Sequence, residues 1–413
     1  MVGAQNPWPE GRAGFAHVLR QGAFTGLPRL LRDIGRLFAP HVVHVHYAWL
    51  EVLYSVQAHI APVVVSVWGS DINDFVSLTP RGCAWRPFMP RRLDLRRAFP
   101  GVARVIIDDA TMFDKCRFIA PDCAPIELLH LGVDTRQFRP PTGEERAQAR
   151  ARLGFAPEDV VLFSPRVMSR AYNQATILRC FAAAAAQNSR ARLILKTYIP
   201  GGSRADSDYA QKLARAAAAL PCSQQIRFVP PVPSEELHTL YWASDGVINY
   251  PQEDGFPVTL AEAAATCTPI ITTMLPAYAG TFAEKDAFRI ITDAGSLTSA
   301  LTAFLHSPAL PEAQLRDARD AVLRAYDFDN YTQRLSCIYQ EIVCEHPHDA
   351  CQPSSAANKT ASTVAAEMSH ETSSKMSLRQ TWVDGIKKLV PARIKMAVHL
   401  HQALTGGTYE KIS

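Results

Sequence analysis

Short apolar runs alternate with helical patterns along most of this chain. Strand-like runs occupy residues 41–46, 62–67, 102–107, 127–130, 160–164, 192–196, 226–229, 246–250 and 270–272. Between several of them lie helix-like patterns, at residues 51–59, 175–187, 208–219 and 235–243. Continuous apolar strands separated by helices are typical of parallel sheets that helices cover. The pattern therefore predicts an α/β protein.

Breaks in this pattern indicate how the chain is divided. The pair Pro140-Pro141 and the polar run up to residue 150 predict a linker, with an N-terminal domain over 1–140 and a C-terminal domain over 141–345. Residues 346–376 are rich in Ser, Thr and Ala, which predicts a disordered linker. Residues 377–413 regain helical periodicity and carry several lysines, so they are predicted to form a basic amphipathic tail.

Composition narrows the class of protein. The 413 residues suffice for two domains, and 47% hydrophobic with 20% charged residues is typical of a soluble protein. A net charge of +4 is too small to indicate nucleic-acid binding. Nine cysteines without paired metal spacing, and no apolar stretch of signal-peptide or membrane-span length, predict a cytoplasmic protein with reduced thiols.

Candidate chemistry concentrates in residues 249–263. Asp254 lies in a Gly/Pro loop after a buried strand, and Glu262 lies about two turns into the helix that follows. The amino end of a helix attracts phosphate, and carboxylates accept hydrogen bonds from vicinal hydroxyls. The segment therefore predicts a pocket for a sugar nucleotide. The alternative is a helix capped by Asp254 or Thr259, with Glu262 facing solvent.

This segment, from Asp254 to Val258 and on through Ala263 to residues 269–271, resembles the signature of glycosyltransferase family 4, the glycosyl transferases group 1. The usual form is Glu-Gly-Phe-Gly, four residues and Glu-Ala, and some bacterial members carry Asp-Gly-x-Pro-Val. Cys267 departs from the family's glycine. The resemblance covers about residues 41–345 and implies the GT-B fold, in which two Rossmann-like domains face a cleft. It also implies retention of anomeric configuration.

The resemblance implies a sugar-donor site in the C-terminal domain. Arg166, after the strand at 160–164, is similar to the arginine of the family's Gly-Arg-Leu, but Ala171 stands where the family has a lysine. Arg170 is the nearest cation to that place. Members of this type stabilise the leaving diphosphate with cationic side chains rather than a metal, so neither metal nor cofactor is expected. The residues expected to bind the sugar donor are Arg166, Arg170, Asp254, Gly255, Phe256, Pro257 and Glu262.

The acceptor side is expected in the N-terminal domain. His44 and His46 alternate along a strand and so share one face, with His46 nearer the carboxyl end. Gly69-Ser70-Asp71 resembles the family's His-Gly-Ser-Asp turn, with Trp68 in place of the histidine. Asp71 is predicted either to accept a hydroxyl proton or to cap the turn. The residues with expected catalytic roles are Arg166, Asp254, Asp71 and His46.

Other features bear on the same interpretation. The Asp-x-Asp sequences at 206–208 and 327–329 lie away from predicted strand ends, so neither is expected to bind a metal. Only about 40 residues, helical in pattern over 15–38, precede the first clear strand. Relatives begin with more strands, so the N-terminal domain is expected to be shortened and the less stable of the two.

The sequence thus predicts a retaining, metal-independent glycosyltransferase. It is expected to transfer a sugar from a nucleotide diphosphate-sugar to a saccharide or lipid-linked acceptor, as in polysaccharide biosynthesis. Its tail is predicted to lie on the inner face of an anionic membrane or, alternatively, to dock on the protein's own surface. Two other hypotheses remain open: a noncatalytic nucleotide-sugar-binding or scaffold protein, and a sugar-nucleotide epimerase.

Overall fold

The computed structural model describes residues 31, 32, 35, 40–48, 50–69, 71–72, 92–197, 204–230, 232–281, 283 and 285–346. These residues form two compact units. The first contains the described residues up to Ile107 together with Met112–Glu127 and 337–346, and the second contains Asp108–Thr111 and Leu128–Ser336. The domain boundary predicted at residue 140 thus differs from the observed division, in which the chain crosses between the units more than once.

The first unit is built on four strands that lie in sequence order, β1 to β4. These strands are β1 (Val43–His46), β2 (Val63–Val67), β3 (Arg104–Ile107) and β4 (Ile126–Leu128). Helices α1 (Leu50–Ala58), α2 (Arg92–Ala98) and α3 (Thr111–Ile119) connect them. Strand β1 pairs in parallel with β2, and β2 with β3. All five residues of β2 are buried, as expected for a strand covered on both faces.

The second unit holds a six-stranded sheet in the order β10-β9-β8-β5-β6-β7, and every pairing in it is parallel. Its strands are β5 (Val160–Ser164), β6 (Ala191–Lys196), β7 (Ile226–Val229), β8 (Gly246–Asn249), β9 (Ile270–Thr273) and β10 (Phe288–Ile291). Its helices are α4 (Gly143–Arg152), α5 (Gln174–Ala185), α6 (Arg204–Ala218), α7 (His238–Ala243), α8 (Val258–Ala265), α9 (Ala294–His306) and α10 (Glu312–Ala325). The final helix, α11 (Phe328–Glu345), follows.

Each face of this sheet contributes to a separate hydrophobic core. Phe163, Ile194 and Val247 belong to the core that includes side chains of α7 and α8. Leu162 and Ile248 belong to the other core, which includes side chains of α5 and α9. Neighbouring residues of a strand point to opposite faces, so burial of both sets explains why these strands are apolar throughout.

One expectation about the domain linker is wrong. Residues 140–150 were expected to be linker, but most of them form α4 (Gly143–Arg152). A capping box starts the helix: the Thr142 hydroxyl accepts from the Glu145 amide, and the Glu145 carboxylate accepts from the Thr142 amide. Arg146 and Arg150 then bind the two carboxylate oxygens of Asp245 at 2.6 and 2.5 Å. The charges that resembled a linker are therefore paired within the unit.

Cys267 follows the end of α8 with φ of 54°, a left-handed conformation that favours glycine. Cys267 therefore adopts a backbone conformation that glycine adopts more readily, and its Cβ atom makes that conformation sterically costly.

Several expectations lie outside the described residues: the disordered linker beyond 346, the tail over 377–413 and nearly all of the helical run over 15–38. Strand β1 lies at the edge of the described part of its sheet. Among the described residues, no helix is both long enough and apolar enough to cross a membrane.

Candidate functional site

Strands β5 and β8 place the expected sugar-donor residues at one edge of the sheet. The two strands are parallel neighbours, with Leu162 paired to Gly246 and Phe163 to Val247. Arg166 follows the carboxyl end of β5, and Asp254 lies in the loop after β8. Carboxyl ends of parallel strands meet at the same edge, where ligands of open α/β sheets bind.

The centre of the site is an ion pair. The Arg166 guanidinium donates to Asp254 Oδ1 at 2.9 Å and also to the hydroxyl of Tyr172, whose ring centroid lies 4.0 Å from the guanidinium carbon. The Tyr278 hydroxyl donates to the other Asp254 oxygen at 3.3 Å. The Gly255 amide donates to Oδ1 at 3.2 Å. Contacts within the protein therefore fix the orientations of Arg166 and Asp254.

Burial and mutual attraction act in opposite directions on this pair. Burial raises the pKa of Asp254, and the nearby Arg166 guanidinium partly offsets that rise. Burial alone acts to lower the pKa of Arg166, but Asp254, Tyr172 and Tyr278 outweigh it, so the net pKa is raised. Arg166 is therefore a permanent cation that is only 16% exposed at its side chain, and a phosphate that reaches it meets little competing water.

Glu262 is buried within α8, only 9% exposed. Its Oε2 accepts a 2.6 Å hydrogen bond from the Tyr241 hydroxyl. Burial raises the pKa of Glu262 to about 7, although Tyr241, Lys196 and Arg166 each act to lower it. The carboxyl group therefore changes charge close to neutral pH.

The alternative of a capped helix with a solvent-facing glutamate is wrong on both points. Pro257 occupies the position that precedes α8, and no side chain caps the helix there. Asp254 binds Arg166 instead of the helix amides, and Glu262 is buried.

The other residues of the expected loop have structural contacts. The Phe256 ring is buried, stacked on Tyr326 at 4.9 Å between centroids and 4.6 Å from the ring of His130. The Phe256 side chain therefore packs into the interior and holds the loop in place. Pro257 is buried as well. Among the described contacts of the loop residues 254–257, the bond to Arg166 is made by Asp254.

The Arg170 side chain contacts Tyr209 rather than the Arg166–Asp254 pair. The residue opens a short turn, Arg170–Tyr172, is exposed, and lies over the ring of Tyr209 at 5.6 Å. None of the contacts among the described residues joins it to Arg166 or Asp254. The turn ends at Asn173, which has a left-handed φ of 52° and donates from its side chain to the Tyr250 carbonyl at 3.1 Å. The loop is thus held beside the end of β8.

Sequence reasoning missed four polar residues that surround this group. Tyr172, Tyr241 and Tyr278 orient the carboxylates and Arg166, and Lys196 lies near Glu262 and Arg166. Lys196 carried one usable signal, because it is the last residue of a predicted strand and so lies at the ligand-binding edge of the sheet. The tyrosines are scattered through helices and loops and carried none.

In the first unit, the two histidines share a face as expected. Their ring centroids are 4.1 Å apart, and His46 also stacks on Trp68 at 5.8 Å. His44 is buried, with Nε2 2.8 Å from the Ser66 hydroxyl and Nδ1 2.5 Å from the Tyr339 hydroxyl. His44 therefore connects β1 to β2 and to α11. His46 and Trp68 are only half-buried and present the more accessible rings.

Asp71 caps the turn. It is completely buried, and its carboxylate accepts from the backbone amides of Ala48, at 2.7 Å, and Trp68, at 3.1 Å. Gly69 makes the turn with φ of 90°. Burial raises the pKa of Asp71 to about 6, against the lowering effect of these backbone amides. Of the two roles expected for Asp71, capping is the one its contacts provide. Ser70 lies outside the described residues.

Both aspartates of the Asp-x-Asp sequence at 327–329 have protein partners. Asp327 accepts from the Thr135 hydroxyl and from the Asp329 amide, and Asp329 pairs with Arg136 at 3.0 Å. Of the part of the chain that the structure describes, no three His, Cys, Asp or Glu side chains come together in a group able to hold a metal ion.

A model of a known protein family matches most of the second unit. The family model of glycosyl transferases group 1 matches residues 145–321. Those residues are therefore similar to a group 1 glycosyltransferase domain. The match includes Arg166, Lys196, Asp254 and Glu262, so the ion pair and the buried glutamate both lie inside the matched segment.

Relatives agree with this assignment. The chain is 32% identical over 224 residues to a D-inositol 3-phosphate glycosyltransferase of Nocardioides sp., covering 52% of this chain and 44% of the relative. It is 28% identical over 228 residues to a protein of the same name from Mycolicibacterium paratuberculosis, covering 54% of this chain and 49% of the relative. The chain spans about half the length of these relatives or less.

Solved structures extend the likeness to the fold. Sucrose-phosphate synthase from Thermosynechococcus elongatus gives a TM-score of 0.65 at 15% identity, covering 84% of this chain and 82% of that one. Anabaena Alr3699/HepE, solved in complex with UDP-glucose, gives 0.60 at 13% identity over 76% and 82%. The predicted GT-B class is confirmed, with one α/β unit for each of its two halves.

Proposed function

We propose that this protein is a retaining, metal-independent glycosyltransferase. It takes a sugar from a nucleotide diphosphate-sugar and transfers it to a hydroxyl group of a saccharide or lipid-linked acceptor. The observation that carries the proposal is the buried Arg166–Asp254 pair at the carboxyl end of β5, within the segment that matches the group 1 glycosyltransferase model. Glu262, buried beside it, adds a carboxyl group for hydroxyl recognition.

The residues have distinct tasks in this reaction. The bond between the anomeric carbon and the diphosphate oxygen breaks, and the nucleoside diphosphate leaves with increased negative charge. Arg166 stabilises that charge, and it does so best in a poorly hydrated site that is already oriented. Asp254 and Glu262 accept hydrogen bonds from hydroxyls of the sugar and ribose. No residue has to form a covalent intermediate.

The acceptor hydroxyl must also lose its proton during the transfer. As the acceptor oxygen bonds to the anomeric carbon, its proton passes to the departing phosphate oxygen on the same face of the sugar. Attack from that face retains the anomeric configuration. The charge that a metal ion balances in other transferases is balanced here by cationic side chains.

Named relatives and neighbours support the substrate class. The relatives are glycosyltransferases of an inositol phosphate, a polyhydroxylated acceptor, and a neighbour of the same fold was solved with UDP-glucose. The chain covers under half of each relative, so its own acceptor is a separate proposal. Saccharide and lipid-linked acceptors are the classes to test first.

The deciding experiment is product analysis. Purified protein is incubated with UDP-, GDP- and ADP-sugars and with both acceptor classes, with and without a chelator. We expect a glycosylated product whose anomeric configuration, read by NMR, equals that of the sugar donor, at a rate that the chelator leaves unchanged. Inversion or chelator sensitivity would contradict the mechanism. Binding without turnover would instead favour a noncatalytic nucleotide-sugar-binding protein.

The tail is also proposed to bind the protein to a membrane surface. The basic tail over 377–413 carries Trp382, Ile386 and Leu389 with lysines beside them. Such a tail suits peripheral binding to anionic lipid, which would bring the enzyme to a lipid-linked acceptor. Sedimentation with anionic vesicles, before and after deletion of 377–413, tests this part. If the intact chain stays in the supernatant, the tail has another role.

A further inference from the structure

Lys196 is a cation at the carboxyl-end edge of the sheet, the edge proposed to bind the sugar donor, and it has no role in the mechanism proposed above. It is the last residue of β6, the strand beside β5. The register pairs Ser164 with Leu195, so Lys196 lies one residue further on, level with Pro165 and next in line to Arg166. Its backbone therefore reaches the same carboxyl-end edge as the Arg166–Asp254 pair.

The side chain of Lys196 shares a sheet face with the rest of the site. Residues alternate along a strand, so Lys196 points to the face of Ile194, which belongs to the core formed with Phe163, Tyr241 and Leu260. That is the face on which α8 carries Glu262 and α7 carries Tyr241. Electrostatic interactions agree with this placement, because Lys196 is attracted by Glu262 and repelled by Arg166.

The ammonium group of Lys196 has hydrogen-bond donors that no described contact uses. It is half-buried, and within the described residues no hydrogen bond or ion pair occupies it. Burial lowers the pKa of Lys196, and Arg166 adds to that lowering, while Glu262 opposes it. A half-buried ammonium with three unused donors is costly unless a partner of opposite charge binds it.

Charge balance indicates which partner fits. Arg166 is already neutralised by Asp254, and Glu262 adds a second carboxyl group. Without another cation, this edge would repel a diphosphate once Glu262 is ionised. Lys196 cancels the charge of an ionised Glu262, so that with Lys196 this edge carries no net negative charge against a diphosphate.

We propose that Lys196 is a second phosphate-binding residue, whose ammonium group shares the diphosphate of the sugar nucleotide with Arg166. This inference rests on the proposed function, since it requires a nucleoside diphosphate at this edge. Lysine acts as a flexible point charge where arginine is a planar fork, so the two side chains are suited to hold different oxygens of one diphosphate.

The test is a titration of UDP by calorimetry, with GDP and ADP as further probes. Lys196→Met keeps the aliphatic stem and removes the charge, Lys196→Arg restores the charge, and Lys212→Met makes the same change at an exposed position of α6. We expect Lys196→Met to weaken UDP binding about 10- to 100-fold, the loss typical of a charged hydrogen bond. Lys196→Arg should recover most of the affinity, and Lys212→Met should bind as the wild type.

The outcomes separate the two proposals. If the wild type binds a nucleoside diphosphate and a folded Lys196→Met variant binds it equally well, the role of Lys196 is overturned while the proposed function stands. If the wild type binds none of the three diphosphates, both proposals fail. Lys196→Gln is the second variant, and thermal melts of all variants identify any loss that comes from misfolding.

Discussion

Arg166 and Asp254, 88 residues apart in the chain, are joined by a 2.9 Å hydrogen bond between opposite charges. The proposed sugar-donor site therefore contains its own counter-charge. In the proposed mechanism, the diphosphate competes with Asp254 for the guanidinium, so part of its attraction to Arg166 is offset in the ground state. The negative charge that develops on the leaving group would shift this competition towards the phosphate, so that Arg166 would act most strongly in the transition state.

Removing Arg166 should reduce turnover more than binding. In Arg166→Ala, we expect kcat to fall about 100-fold or more, the effect of deleting one preorganised donor to a developing charge, and sugar-donor affinity to fall less. Steady-state kinetics together with calorimetry separate the two effects. Arg179→Ala, at an exposed position of α5, is the matched control. A variant that loses affinity but keeps kcat would show that Arg166 acts equally in the ground state and the transition state.

Asp71 should matter for folding through its backbone contacts. Asp71→Ala leaves the buried amides of Ala48 and Trp68 without an acceptor, and each such loss costs about 1–3 kcal/mol. We expect the urea midpoint of the first unit to fall clearly, while Asp114→Ala, at an exposed position of α3, leaves it unchanged. Normal stability combined with lost turnover would restore the catalytic role for Asp71.

Strands β1 to β9 were predictable because their apolar runs are regular. One missed helix has a cause that lies far away in the chain. Helix α4 was missed because its charges suggested a solvated linker, whereas Arg146 and Arg150 bind Asp245, almost a hundred residues away. Within the site, Asp254 and Glu262 follow from one motif. The positions of Tyr241 and Lys196 near Glu262 depend on strand order and register, and the sequence carried only a partial signal, the place of Lys196 at the end of a predicted strand.

The left-handed backbone of Cys267, just after the end of α8, should lower the stability of the second unit. Its left-handed backbone costs a residue with a Cβ atom about 1–2 kcal/mol, and glycine avoids that cost but loses more entropy on folding. Cys267→Gly should therefore raise the free energy of unfolding of the second unit by about 0.5–1 kcal/mol. Cys267→Ala keeps the strained backbone and should give no gain. Equal stability in all three proteins would mean that the turn relaxes in solution.

Glu262 should make the second unit pH-sensitive. Its pKa rises from the ordinary 4.5 to about 7 in the folded unit, where Tyr241, Lys196 and Arg166 face it. The folded unit thus holds the Glu262 proton more tightly than the unfolded chain does between these values. Stability should then fall as pH rises from about 4.5 to 7, by about 3 kcal/mol for a change of this size. Glu262→Gln, which cannot ionise, should remove that part of the fall, and Glu158→Gln, at an exposed position, should not.

The same titration should control sugar-donor binding with the opposite sign. Only the ionised Glu262 carboxylate accepts hydrogen bonds with both oxygens, so wild-type affinity should rise by up to about tenfold between pH 6 and pH 8, in proportion to the ionised fraction. Burial lowers the pKa of Lys196, so the test uses a Lys196→Arg background, in which that position is charged at both pH values. In this background, Glu262→Gln should bind the sugar donor weakly and equally at both pH values. If it instead shows the same rise with pH as its Glu262 parent, another group is responsible and Glu262 does not contact the sugar donor.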